Sequence, residues 1–294
     1  MSNIPTIILF GATGAGKSSF VNRALGSQVA VSDGLKSCTD SIVVVNGEVG
    51  GIPCALVDTP GFDDSIRNDT DVLRDLCNWL AEAKRNGMKF CGILYLHRIT
   101  DPKVGGIAQT NMRLFRKICG DNAMSHVILC TTRWDEAAQA DGERREAELR
   151  NDFWKQMLEL GSSFERHDNS TPSAQRIVSA ALKRASVTLK VQHEMVDDAR
   201  DFADTAAAHA LSEEMAKIAA EHAAARLKVE RELKAAYERE QAEIRARLEG
   251  ERCRREEQER ELRETIEREK AAREEERNKM IWNIVTTGLM ILFL

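Results

Sequence analysis

Apolar positions change their spacing along the 294-residue chain, and the change divides it into three parts. Up to about residue 185, short apolar runs alternate with stretches of helical period. The runs with strand character are Thr6–Phe10, Ile42–Asn46, Ala55–Asp58, Cys91–Leu96, Val127–Thr131 and Ser163–Arg166. The helical stretches are Lys17–Leu25, Thr70–Lys84, Gln109–Cys119, Gly142–Leu160 and Ser173–Arg184. This alternation predicts βαβ units, hence an α/β fold whose mainly parallel sheet is covered on both faces. Ile42–Asn46 and Pro53–Asp58 are too close for an intervening helix, so these two strands are expected to pair antiparallel.

Residues 186–279 carry a different pattern. Leu211, Met215, Ile218, His222, Ala225 and Val229 step by 4-3-4-3-4, the seam of a coiled coil. Leu233, Ala236, Tyr237, Ile244 and Leu248 continue it less regularly. Between 251 and 279, 11 residues are acidic and 10 basic, so the helix expected there rests on i,i+4 ion pairs more than on apolar contacts. Residues 280–294 contain no charged side chain. At 1.5 Å per residue these fifteen would span about 22 Å, short of the ~30 Å hydrocarbon core. An uncharged apolar tail with Trp282 at its edge and Arg277 and Lys279 outside it reads as a C-terminal membrane attachment on the cytosolic side.

The helix breakers agree with this division. All five prolines lie at or before Pro172, and sixteen of the eighteen glycines lie at or before Gly161. A net charge of −5 leaves no basic footprint, which argues against a nucleic-acid partner. The seven cysteines are scattered and form no CxxC pair, so they read as small buried residues in a reducing compartment. Ile7–Phe10 is too short an apolar run for a signal peptide.

Candidate chemistry begins at Gly11-Ala12-Thr13-Gly14-Ala15-Gly16-Lys17-Ser18, followed by Ser19, which fits G-x-x-x-x-G-K-[ST] between a strand and a helix. Glycines let successive backbone N–H groups face an anion, and the helix N-terminus adds its partial positive charge. Lys17 is expected to reach the β- and γ-phosphates of a nucleoside triphosphate, and Ser18 to ligate Mg²⁺. Asp58, opening Asp58-Thr59-Pro60-Gly61 at a strand end, is the expected second Mg²⁺ residue. The Gly61 N–H is placed to sense the γ-phosphate. Within the polar stretch 32–41, Thr39 is expected to complete the metal shell, with Ser37 as its competitor.

The strand Val127–Thr131 runs into Thr132-Arg133-Trp134-Asp135, close to the guanine signature [NT]-K-x-D but with arginine for lysine. A carboxylate at Asp135 accepts from N1–H and the 2-amino group of guanine, a donor pair that adenine lacks. The stem of Arg133 would pack on the purine face. A third base contact is expected after Ser163–Arg166, from His167 or alternatively Asn169.

Gly11–Ser18, Asp58–Gly61 and Thr132–Asp135, in this order, resemble an AIG-type G domain. That group includes the GTPases of immunity-associated proteins, with septins and chloroplast outer-envelope import GTPases as relatives. Tyr95–Asp101 and Trp134 resemble fungal members. The resemblance covers roughly residues 3–185 and implies a P-loop GTPase three-layer sandwich followed by the long helical tail. It also implies GTP/GDP and Mg²⁺ binding and a homodimer formed through the switch face. Arg98 is the candidate to act across such a dimer, as an arginine does in related import GTPases, with an ordinary surface ion pair as the alternative. Phe62 follows Gly61 where Ras-like sites place a glutamine. With only Asp63 and Asp64 beyond it, hydrolysis is expected to be slow. A P-loop ATPase or kinase, and a structural coiled-coil protein with a degenerate G domain, are the alternative readings.

Overall fold

The computed structural model describes residues 4–27, 42–61, 66–101 and 104–292, with side chains for all of these except 66–69, 107 and 283–292. Thr39, Ser37, Phe62, Asp63 and Asp64 lie outside the described residues.

Six strands form one sheet: β1 Thr6–Gly11, β2 Val43–Val49, β3 Ile52–Asp58, β4 Phe90–Arg98, β5 Val127–Thr132 and β6 Ser163–Arg166. Their spatial order is β2-β3-β1-β4-β5-β6. Every neighbouring pair is parallel except β2 and β3, which pair antiparallel through the tight turn at Gly50-Gly51. Alternation along β1 divides the core, because successive side chains point to opposite faces. Ile7 and Leu9 pack with Phe20, Val21, Ile177 and Val178, from α1 (Lys17–Leu25) and, later in the chain, the helix Thr171–Leu182. Ile8 and Phe10 pack on the other face with Leu73, Leu76 and Leu80 of α2 (Ile66–Arg85) and with Leu114, Phe115 and Ile118 of α3 (Gly106–Cys119).

The helix expected over Gly142–Leu160 is interrupted. It divides into α4 (Gln139–Glu148), one wide turn over Leu149–Phe153, and α5 (Lys155–Glu159). In the wide turn the Trp154 N–H donates to the Leu149 carbonyl five residues back, at 2.6 Å. The extra residue rotates Trp154 into the core, where it is fully buried against His97 and Phe164. The helix Thr171–Leu182 follows as α6, with Pro172 in its first turn and the Ser170 hydroxyl accepting from the Ser173 N–H at 3.2 Å.

The first compact unit does not stop at the compositional boundary near 185; it extends to Ala219, and Ala220–Leu294 form the second. The reason lies in the packing of residues 187–215. The Val187 N–H donates to the Phe90 carbonyl at 2.7 Å, at the start of β4. In the short helix α7 (Lys190–Gln192), Val191 is buried and the Gln192 amide donates to the Leu80 carbonyl at 2.9 Å. The buried Glu194 carboxylate accepts from the Ala206 N–H at 3.3 Å, the first residue of the helix α8 (Ala206–Leu292). A negative charge there suits the positive end of a helix dipole. Arg113 of α3 donates to the Ala210 carbonyl at 3.0 Å and to Glu214 at 2.6 Å. Leu211 is buried and Met215 packs against the same core, so the first two positions of the expected coiled-coil seam are consumed within this unit.

The second unit is the remainder of α8. The ion pairs expected from composition are present, among them Arg247–Glu251 at 3.4 Å, Arg268–Glu264 at 3.6 Å and Lys279–Glu275 at 2.7 Å. Leu233, Tyr237, Ile244, Leu248, Leu262 and Ile266 are exposed. Among the described residues no helix is long and apolar enough to cross a membrane, so a spanning anchor at 280–294 finds no support.

These environments separate two leucines of one helix. Leu211→Ala removes a side chain that is 5% exposed and is expected to cost ~2–5 kcal/mol of stability. Leu233→Ala, at a residue 70% exposed, is expected to stay within about 0.5 kcal/mol. Urea midpoints of the two variants at unchanged m-value measure the difference.

Candidate nucleotide site

The parallel register brings four strand ends to one edge of the sheet. Leu9 of β1 lies opposite Asp58 of β3, Gly11 opposite Leu96 of β4, and Arg98 of β4 opposite Thr132 of β5. Ligands of open α/β sheets bind outside such carboxyl ends.

The loop from Gly11 to Gly16 closes tightly onto this edge. Gly11 could not carry a side chain, since a Cβ there would lie 2.4 Å from the Leu96 carbonyl oxygen. Gly16 has φ +90° and caps α1 in the left-handed region, which frees the N–H groups that follow to point into the loop. The buried Lys17 ammonium donates to the carbonyls of Gly11 at 2.9 Å and Ala12 at 3.0 Å. Thr13 lies on the other wall, where a Cβ on Gly61 would come within 2.4 Å of its N and Oγ1. Only glycine at 61 lets the chain after β3 approach the phosphate loop this closely. Ser19 is the third residue of α1, next to Ser18.

Ser18 and Asp58 meet directly. The Ser18 hydroxyl donates to Asp58 Oδ2 at 2.5 Å. Asp58 is fully buried, and its Oδ1 has no hydrogen-bond partner among the described residues. Burial pushes its carboxyl above the ordinary carboxylate range, opposed by the Ser18 hydrogen bond and the Lys17 charge. An orphaned carboxylate oxygen beside a serine hydroxyl and a lysine is a donor set that fits a hard divalent cation carrying phosphate and water. Thr59, not singled out from sequence, completes the floor: its hydroxyl donates to the Leu9 carbonyl at 2.6 Å and binds the end of β3 to β1. Its place inside Asp58–Gly61 was the available signal.

The residues expected from sequence to read the base are tied to the same loop. The Thr132 hydroxyl donates to the Ala15 carbonyl at 2.9 Å, and Arg133 Nε donates to the Gly14 carbonyl at 3.2 Å. Arg133 adopts φ +57° and pairs through its other end with Glu136 at 2.7 Å. Asp135 is exposed, and its carboxylate accepts no hydrogen bond among the described residues. His167 is not open to the surface: it is 3% exposed, edge-on to Phe20 at 5.0 Å, with Nδ1 3.2 Å from the Ser173 hydroxyl. Its Nε2 is buried without a hydrogen-bond partner among the described residues. Asn169 has φ +63° in the turn before α6.

Arg98 contacts its own phosphate loop. Its guanidinium would lie 3.1 Å from a Cβ on Gly14, and Nε sits 3.0 Å from Asp101 at an angle outside hydrogen-bond geometry.

Burial lowers the pKa of His167, reinforced by Arg23 and Arg176 and opposed by Asp168 and Asp135. The unfolded chain therefore takes up this proton at higher pH than the folded one. Stability held above the ordinary value of 6.5 is lost as pH falls from there toward the lowered folded value. His97 is shifted in the same direction by burial, so some slope persists without His167. His167→Asn is expected to reduce, not abolish, the drop in unfolding free energy between about pH 7.5 and about pH 5.5, measured by urea titration at both values.

Comparison with known proteins agrees with this geometry. The AIG1 family pattern matches residues 5–172. Translocase of chloroplast 90 from Arabidopsis thaliana is 27% identical over 140 residues, covering 46% of this chain and 17% of the relative. The chain thus matches only about a sixth of that relative's length. Toc33 of Arabidopsis thaliana, solved with GDP and Mg²⁺, superimposes with a TM-score of 0.51 at 17% identity, covering 64% of this chain and 88% of Toc33. A structure from work on dimerization and GTPase activity of atToc33 and psToc159 gives 0.50 at 19% identity, covering 63% and 86%. With more than half its length matched and the phosphate loop, Asp58 and the Thr132–Asp135 element gathered on one sheet edge, the chain belongs to the AIG1 family.

Proposed function

We propose that the chain is a guanine-nucleotide switch that binds GTP or GDP with Mg²⁺, hydrolyses GTP slowly and dimerises in the GTP state. The observation that carries this reading is the junction of Ser18 with Asp58 beside a loop also held by Thr132 and Arg133. That these contacts lie on a single sheet edge supports a phosphate cradle, a metal site and a base reader side by side.

In this reading the backbone N–H groups of Ala12–Ser19 hold the phosphates, and Lys17 exchanges the Gly11 and Ala12 carbonyls for β- and γ-oxygens. Ser18 holds Mg²⁺ directly, Asp58 through water, and Thr39 completes the shell. The ion supplies charge neutralisation on the phosphate oxygens when bound. The Gly61 N–H reports the γ-phosphate because its backbone already touches Thr13. Asp135 reads guanine, Arg133 flanks the base, and His167 supports the pocket from beneath. Phe62 offers no hydrogen bond to orient a water, which supports a low intrinsic rate.

Dimerisation is reported for Toc33 and its import relatives as important to their GTPase activity. A dimer through the switch face of this chain follows by that likeness, with Arg98 as the cation at its phosphate-loop rim. The exposed apolar stripe of α8 supports a second contact between the tails, and Met280–Leu294 supports attachment to the cytosolic face of a membrane without a complete span.

Analytical ultracentrifugation of the full chain separates the readings. A GTP analogue that resists hydrolysis is expected to shift the oligomer to a larger species than GDP does, and Lys17→Ala is expected to remove both the shift and nucleotide binding. Displacement of GTP by equimolar ATP would instead favour an ATPase or kinase. An unchanged GTP affinity in Lys17→Ala would overturn the proposal.

A further inference from the structure

Trp134 is the side chain of the base-reading element that no contact with nucleotide accounts for. It lies between Arg133, held in the left-handed region and tied to Gly14, and Asp135, exposed and accepting no hydrogen bond among the described residues. Its indole is fixed on three sides. Nε1 donates to the Thr131 hydroxyl at 2.9 Å, at the next-to-last residue of a strand that is buried throughout. The Arg166 guanidinium lies over the ring, 4.2 Å from its centroid. Atom Cζ3 would stand 2.7 Å from a Cβ on Gly142, so the benzo ring rests directly on the backbone of α4.

Arg166 is itself immobilised. Its Nε donates to Glu146 Oε1 at 2.6 Å and its Nη2 to Glu146 Oε2, a fork on a carboxylate that is 6% exposed. Fork pairing fixes the plane of the guanidinium, and a planar cation over an indole face is a directional contact. Glu146 and Gly142 are one turn apart on α4, so a single helix holds both the floor under the ring and the anchor of its cover.

We propose that Trp134 is a positioning residue for base selection, locked by the Arg166–Glu146 pair and seated on Gly142. The tight turn Trp134–Glu136 carries Asp135 one residue beyond the clamped indole. Movement of the ring therefore turns the Asp135 carboxylate away from the place where it accepts two donors of one base. The left-handed backbone at Arg133 is a costly conformation for a non-glycine residue. It persists because Gly14 holds one end of the segment and the Trp134 clamp holds the other. This inference rests on the assignment of Asp135 to guanine.

The test measures GDP and IDP affinities of the full chain, because hypoxanthine lacks the 2-amino group and offers the carboxylate one donor fewer. Gly142→Ala adds a methyl under the ring in a helix interior, where alanine is the better helix former. Its unfolding midpoint is expected to fall only slightly, because the gain in helix propensity offsets part of the cost of the displaced ring, while GDP affinity falls about tenfold and the GDP-to-IDP ratio drops toward one. A merely structural role would not separate these readouts. The double variant Arg166→Leu with Glu146→Leu removes the fork without leaving a lone buried charge, and the same loss of discrimination is expected. A wild-type GDP-to-IDP ratio in either folded variant overturns the proposal. Asp135→Asn tests the assignment beneath it: a shift of preference from GDP to XDP sustains guanine reading by Asp135. Retained GDP preference removes that assignment whatever the Trp134 variants show.

Discussion

Register between β1, β3, β4 and β5 is the constraint on which the site depends. Asp58 faces Ser18 because Leu9 pairs with Asp58 at the last rung of β3. The loop after β1 meets the chain after β5 because Gly11 pairs with Leu96 and, two residues further along β4, Arg98 pairs with Thr132. A slip of one residue in any pair would exchange the two faces of a strand. On β1 it would move Ile7 and Leu9 into the cluster built for Ile8 and Phe10. The two cores, covered by different helices, hold the register from both sides. Thr59 adds a local lock where the strands end.

That rigidity lets the edge tolerate a cost. Asp58 is buried with one oxygen unsatisfied, and its ionised form is disfavoured. A buried carboxylate without a full set of partners lowers stability and is retained where it serves a ligand. Lys17 illustrates the opposite arrangement, since its ammonium is hydrogen-bonded to two carbonyls of its own loop. In the proposed reading, nucleotide binding would exchange those bonds for phosphate contacts, so the net gain from Lys17 would be smaller than a bare lysine–phosphate attraction suggests. On that reading affinity would depend strongly on a second anchor at the base, where Thr132 and Arg133 already fix the loop to β5.

Residues whose role is set by local spacing were legible from the sequence. The phosphate loop, the bounds of α1 and of β6, and the antiparallel β2–β3 pair follow from glycine placement, periodicity and linker length. Residues whose role depends on distant partners were not. Leu211 and Met215 fit a coiled-coil seam by spacing, and nothing local distinguishes that from burial against α2 and α3. Arg166 and Glu146 stand twenty positions apart, on a strand and a helix whose crossing the sequence does not state. The wide turn at Leu149–Phe153 serves to bury Trp154, and its backbone bond has no side-chain signature. His167, read from sequence as a base contact, is buried on Phe20, because the β6 end turns inward through a hydrogen bond from its N–H to the Thr131 carbonyl.

The tail beyond Ala219 follows a simpler rule. Leu233, Tyr237, Ile244, Leu248, Leu262 and Ile266 are separated by 4, 7, 4, 14 and 4 residues. At 3.6 residues per turn these six fall within about 60° of one another around the axis. A strict heptad would drift by about 20° in each repeat and require supercoiling to keep its seam in line. This stripe stays in line on a straight helix, which suits a shallow contact of long reach more than a tightly wound rope. Its apolar members are also sparse between 249 and 279, where charge dominates and i,i+4 pairs supply the helix with small increments of about 0.3–0.5 kcal/mol each. A helix held mainly by its own side-chain pairs can keep its length without a partner. In the proposed switch, its apolar stripe would add specificity and modest affinity to an association timed by nucleotide.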